Sequence, residues 1–119
     1  MKIYHNPKCA KSRETLALIV QAGIKPEVVE YLKTPPTPSE LKKLLKVLGM
    51  KAEDIIRKTE AIFLEKYATK KFSDPVWIDI ICENPILMER PIVIEGDKAI
   101  IGRPPENVKK LFPKIEKPA

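Results

Sequence analysis

The run His5-Asn6-Pro7-Lys8-Cys9 places a thiol in a polar loop just ahead of a segment with helical spacing. At a helix N-terminus, backbone N–H groups point outward without intrahelical partners, and the helix dipole adds positive potential. A thiolate there is stabilised, so Cys9 is expected to titrate below the ~8.5 of a free thiol. His5 and Lys8 lie nearby and push the same way. Ser12, three residues on, is close enough to offer the sulfur a hydroxyl hydrogen bond. The competing reading is a small buried core cysteine, the commoner fate of a lone Cys. A polar loop containing proline is a poor place for one, and the arrangement favours a reactive nucleophile. The basic residues carry a second signal. Of 22, four are Arg (Arg13, Arg57, Arg90 and Arg103) and the rest are Lys. A chain that covers its surface with Lys has little generic use for Arg, whose rigid fork suits two-point grip on an oxyanion. Four incidental surface arginines is the other reading of the same count.

The 119 residues have room for one domain, 1–119, because halves would be too small for a proper core. No apolar run approaches the ~20 residues of a membrane helix. The N-terminal stretch Met1 to Cys9 lacks an apolar h-region, so no secretory signal is expected. Two cysteines make no disulfide framework, and a reducing cytoplasm is the expected compartment. Cys82 follows Ile80 and Ile81 in an apolar helical run and is expected to pack. With His5 it makes too few ligands for a metal site. The net charge of +6 invites nucleic acid as a partner. Its distribution argues otherwise: Glu40, Lys42, Lys43 and Lys46 interleave signs as a solvated face does. No helix-turn-helix, zinc ligands or aromatic platform accompanies the charge.

The elements that must position these residues follow from periodicity. Lys2 to Tyr4 is a short strand ended by the Pro7 loop. Leu16, Ile19 and Val20 form the apolar stripe of a helix that Gly23 stops at C′. Val28 to Leu32 is a second strand, and strand–helix–strand in so short a span predicts parallel pairing. Thr37 and Glu40 form a capping box with Pro38 at the first helical position, opening a helix through Leu41, Leu44, Leu45 and Leu48 that ends at Gly49. A helix is expected around Ala52 to Arg57, a short one at Ile62 to Tyr67, and another from Ser73-Asp74-Pro75 through Trp77, Ile80 and Ile81 to Asn84-Pro85. Pro91–Glu95 and Lys98–Ile101 are two strands joined by Gly96-Asp97, a hairpin signal. A last helix runs from near Pro105 through Val108 to Leu111, followed by a frayed end containing Pro113 and Pro118. The order β-α-β, helices, β-β-α is that of an α/β thioredoxin-like fold, with a four-stranded mixed sheet and a helical insertion at about 35–85.

His5-Asn6-Pro7-Lys8-Cys9-Ala10-Lys11-Ser12-Arg13 resembles the His-Asn-Pro-x-Cys-x-x-Ser-Arg motif of the ArsC-type, glutaredoxin-linked arsenate reductases. Leu87-Met88-Glu89-Arg90-Pro91-Ile92-Val93 and Ile101-Gly102-Arg103-Pro104-Pro105-Glu106 resemble that family's second and third signatures, in the same order. The resemblance implies Cys9 as nucleophile, His5 lowering its pKa, and Ser12 hydrogen-bonding the thiolate. It implies Arg57, on a helix of the insertion, together with Arg90 and Arg103 as the oxyanion grip, and Pro91 as the cis-proline facing the cysteine. Arg13 either binds the partner thiol or pairs with a carboxylate on its helix. The implied reaction takes arsenate to arsenite through a thiolate–arsenate adduct, with glutathione as co-substrate, glutaredoxin as protein partner and no bound cofactor. Two alternatives share the scaffold. One is a glutathione-dependent thiol oxidoreductase acting on another substrate. The other is an Spx-like transcription regulator that binds RNA polymerase, whose usual Cys-x-x-Cys switch is broken here by Ser12.

Overall fold

The computed structural model describes residues 1–112, so the end at Pro113 and Pro118 lies outside the described residues. Strand β1 (Lys2–His5) leads through the Cys9 loop into helix α1 (Ala10–Gln21) and back to strand β2 (Glu27–Glu30). β1 and β2 pair in parallel, Lys2 opposite Glu27 and His5 opposite Glu30. Near the other end, β3 (Ile92–Glu95) and β4 (Lys98–Ile101) form a hairpin whose turn needs the positive φ of Gly96. β3 pairs antiparallel with β1, so the sheet order is β2-β1-β3-β4. This mixed four-stranded sheet is that of a thioredoxin-like fold.

Side chains alternate across the sheet, and each face has its own core. Ile3 and Val93 face α1 and the C-terminal 3₁₀ helix Pro105–Leu111, packing with Ile19, Val108 and Leu111. Tyr4 and Ile92 face the opposite way, into a larger core built with the helices between β2 and β3. Those helices are α2 (Pro38–Leu48), a 3₁₀ helix Ala52–Ile55, α3 (Ala61–Lys66), α4 (Asp74–Glu83) and a 3₁₀ turn Pro85–Leu87. Thr37 and Glu40 close a reciprocal capping box on α2, and Gly49 ends it in the left-handed region. Trp77 of α4 is buried against Phe63, Tyr67 and Phe72. Among the described residues no helix is long and apolar enough to cross a membrane.

Several elements differ from expectation. Val20 is 58% exposed; the inner face of α1 carries Ser12, Thr15 and Ile19 instead. β2 stops at Glu30 because its carbonyl accepts the N–H groups of both Lys33 and Thr34, folding the chain into a turn that leaves Leu32 outside and buries Tyr31. The helix expected over Ala52 to Arg57 is a single 3₁₀ turn. Ile56 is already extended and bridges Met88. The terminal helix is 3₁₀, with Asn107 N–H bonded back to Pro104 and its side-chain amide donating to the carbonyls of Ile101 and Arg103.

Candidate active site

Cys9 is the N-cap residue of α1, with extended backbone angles. Its N–H donates to the Asn6 carbonyl at 3.0 Å, and its carbonyl accepts Arg13 N–H at 3.0 Å. The partly buried sulfur faces the orphan donors of the helix start. Burial pushes the thiol pKa up, but the Ser12 N–H, the neighbouring Arg90 guanidinium and the Lys11 N–H together outweigh it and hold the thiol below its ordinary value.

The loop is braced differently from the expectation. The Ser12 hydroxyl does not bond the sulfur. It is fully buried, shares a 2.6 Å hydrogen bond with His5 Nδ1 and accepts Asn6 N–H at 3.0 Å. What Ser12 turns toward the thiolate is its backbone N–H. His5 is 6% exposed, and burial lowers its pKa, with Glu30 opposing and Arg13 assisting the shift. A neutral imidazole adds no charge to Cys9, so its place is behind the loop rather than beside the sulfur. Lys8 contributes its backbone N–H to Asn6 Oδ1. Arg13 pairs with no carboxylate among the described residues; its Nη1 donates to the Pro7 carbonyl at 3.0 Å.

Arg90 lies just before β3 and Arg103 just after β4, at the same end of the hairpin. Both precede cis prolines, Pro91 and Pro104. Arg103 Nε donates to the Arg90 carbonyl at 2.9 Å, and its Nη2 reaches Cys9 Sγ at 3.8 Å. Gly102, just before it, lies so close to α1 that a Cβ there would sit 2.5 Å from Thr15 Oγ1 and 2.7 Å from Pro91 Cγ. Arg57 comes from an extended segment, not from a helix. Arg57 N–H donates to the Leu87 carbonyl at 2.7 Å and Glu89 N–H to the Ile55 carbonyl at 2.7 Å. That zip draws residues 55–57 against 87–89 and brings Arg57 beside Arg90.

Three further residues complete the site. Glu60 Oε1 stands 3.4 Å from Arg57 Nη1 and 3.7 Å from Arg90 Nη1. Glu89 Oε2 stands 3.5 Å from Arg103 Nε, and burial raises its pKa against the pull of Arg103. Tyr31 is fully buried, and desolvation pushes its phenol up to about 12 even with Arg90 near. The spacing of Arg57 and Glu60, three apart, and the Glu89-Arg90 dipeptide were available clues. Tyr31 had none, being one more residue of an apolar strand run. Arg57 Nη1, Arg90 Nε and Nη1, and the Tyr31 hydroxyl are buried without hydrogen-bond partners. Such a surplus of donors is costly unless an acceptor arrives. A lowered thiol beside guanidinium forks can attack an anionic electrophile that a thiolate alone would repel.

Residues 4–111 match the ArsC family. An uncharacterized protein of Escherichia coli K12, YfgD, is 49% identical over 93% of this chain and 95% of its own. The arsenate reductase of the same organism is 40% identical over 98% of this chain and 84% of its own. The solved structure of an arsenate reductase from Vibrio cholerae superposes with a TM-score of 0.89 at 43% identity, covering 93% of this chain and 96% of that one. On these matches and on the sheet that carries its cysteine loop, the chain belongs to the ArsC family.

Proposed function

We propose that this protein is an oxidoreductase that reduces arsenate to arsenite through Cys9. The observation that carries the reading is the thiol at the start of α1, held below its ordinary value by the Ser12 N–H and Arg90 and with Arg103 Nη2 3.8 Å from the sulfur. The Cys9 thiolate attacks arsenic(V), and one arsenate oxygen leaves as water after taking up protons. The arginine forks lower the barrier by neutralising the oxyanion as charge builds on it. Glutathione then attacks the adduct: its thiolate and Cys9 become a mixed disulfide, and the two electrons they release reduce arsenic to arsenite. Glutaredoxin takes the glutathionyl group and returns Cys9 as a thiolate by thiol–disulfide exchange. A partly exposed, unpaired thiol suits a reducing cytoplasm.

Support for arsenate itself comes from the relatives named for that activity. The experiment is arsenite formation from arsenate with glutathione, glutaredoxin and glutathione reductase supplied. Turnover that requires all components and Cys9 is the expected result. Oxidation and reduction of a glutathionyl–Cys9 disulfide with no arsenite would point instead to a thiol oxidoreductase with another substrate.

A further inference from the structure

Glu60 is a group the proposed chemistry leaves unused. The turn that sets Arg57 sets Glu60 as well: Glu60 N–H donates to the Arg57 carbonyl at 3.1 Å, and its own carbonyl accepts Leu64 N–H as α3 begins. Its carboxylate, 22% exposed, therefore stands inside the cluster of forks rather than out in solvent. The separations of 3.4 and 3.7 Å exceed the about 2.7–2.9 Å of a charge-assisted hydrogen bond. Both Nη1 atoms that face it remain without a hydrogen-bond partner. A carboxylate whose task was to orient these arginines would close on them. This one is near enough to offset their charge yet leaves these buried donors unpaired.

A site evolved only to attract negative charge would gain nothing from a carboxylate between two of its arginines. The arrangement gains sense if the ligand carries a proton. A carboxylate can only accept hydrogen bonds. Hydrogen arsenate and hydrogen phosphate keep an O–H at neutral pH, whereas sulfate keeps none. The first two can donate to Glu60 while their bare oxygens take the free N–H groups of Arg57 and Arg90. Sulfate meets the carboxylate with repulsion and no compensating bond.

We propose that Glu60 is a specificity-determining residue that accepts the hydrogen bond of a protonated tetrahedral oxyanion and excludes fully ionised ones such as sulfate. This rests on the reading of the Cys9–arginine cluster as an oxyanion site.

Calorimetric titration of the full chain with inorganic phosphate and with sulfate, at matched ionic strength, tests it without requiring turnover. Protection of Cys9 from iodoacetamide gives the same comparison for arsenate. The wild type is expected to favour phosphate and arsenate over sulfate by on the order of tenfold or more, the worth of one hydrogen bond to a charged group. Glu60→Gln supplies an amide that can donate to sulfate, and should bring the ratio close to one, chiefly by gaining sulfate affinity. Glu60→Ala gives the same readout should the Gln variant fail to fold. A wild type that binds both ions alike overturns the proposal. So does a folded variant that keeps the wild-type ratio, or one that loses both ions equally, which would make Glu60 a scaffold. A wild type that binds no oxyanion, arsenate included, sinks the oxyanion reading as well.

Discussion

The Cys9 thiol owes its lowered pKa to donors that have to be in place together, since burial works against them. The rate of Cys9 alkylation by iodoacetamide against pH is therefore expected to show a midpoint below the ~8.5 of a free thiol. Arg90→Gln should move that midpoint upward, because it removes a charge from beside the sulfur. Arg90→Lys and Arg103→Lys keep the charge and lose the fork. Each should lower arsenate turnover by about tenfold or more, while Arg13→Lys, at a side chain that donates to the Pro7 carbonyl, should change it little. A wild-type midpoint at or above the ~8.5 of a free thiol would remove the activated nucleophile. His5 gives a second test. Its folded pKa lies below the ordinary 6.5, so as pH falls the unfolded chain takes up the proton first. Stability from this group is full above 6.5 and is lost as pH falls toward the folded pKa. Urea midpoints measured at about pH 7.5 and 5.5 should fall further for the wild type than for His5→Asn. Equal falls would show that His5 is not held neutral.

α1, the start of β3 and the end of β4 converge on the thiol, and their junction is tight. Gly102 is where α1, the start of β3 and the end of β4 meet, and it has no room for a methyl group. Gly102→Ala must push back either Thr15, which is bonded to the Lys11 carbonyl inside α1, or the ring of Pro91. Overpacking of this kind costs about 1–3 kcal/mol. Since the next residue is Arg103, the expected result is a lowered melting temperature together with a loss of turnover larger than the destabilisation explains. Unchanged turnover in a destabilised variant would separate this junction from the arginine grip. The zip between 55–57 and 87–89 plays the same part for Arg57. Two backbone hydrogen bonds of 2.7 Å, not helical periodicity, decide where its side chain stands.

The whole molecule sets the two cysteines apart in environment. Cys9 opens α1 at the polar end of the sheet. Cys82 lies in α4, partly buried and packed against the larger core. Burial raises its pKa, and Asp79, Glu40 and Glu83 add to the shift. A thiol so placed is a weak nucleophile, and a helical core position cannot swing out cheaply to bridge another. Cys9→Ser is expected to abolish turnover and Cys82→Ser to leave it nearly intact. The check is arsenite production with thioredoxin and its reductase alone, then with glutathione and glutaredoxin. Sustained production in the first mixture, lost in Cys82→Ser, would reveal an internal disulfide relay.

What the sequence determined by itself was mostly what has a local cause. The Thr37–Glu40 capping box, the Gly96-Asp97 hairpin and the Gly49 stop each depend on residues close along the chain, where side-chain type and backbone angle act on one another directly, and the parallel β1–β2 pair follows from the short strand–helix–strand crossover. The thioredoxin-like order of elements follows from them. The expected helix over Ala52 to Arg57 failed because pairing with Met88, some thirty residues away, outbids one more helical turn and leaves no periodic trace. Only the tertiary structure decided the partner of the Ser12 hydroxyl. A hydroxyl has several acceptors and donors within reach, and the buried His5 ring and Asn6 N–H took it before the sulfur could. The same holds for Glu60 and Glu89. Along the chain they read as two more surface carboxylates. Each has one arginine as a chain neighbour, Arg57 or Arg90, but only when distant segments are folded together does Glu60 meet Arg90 and Glu89 meet Arg103, because charge acts through space.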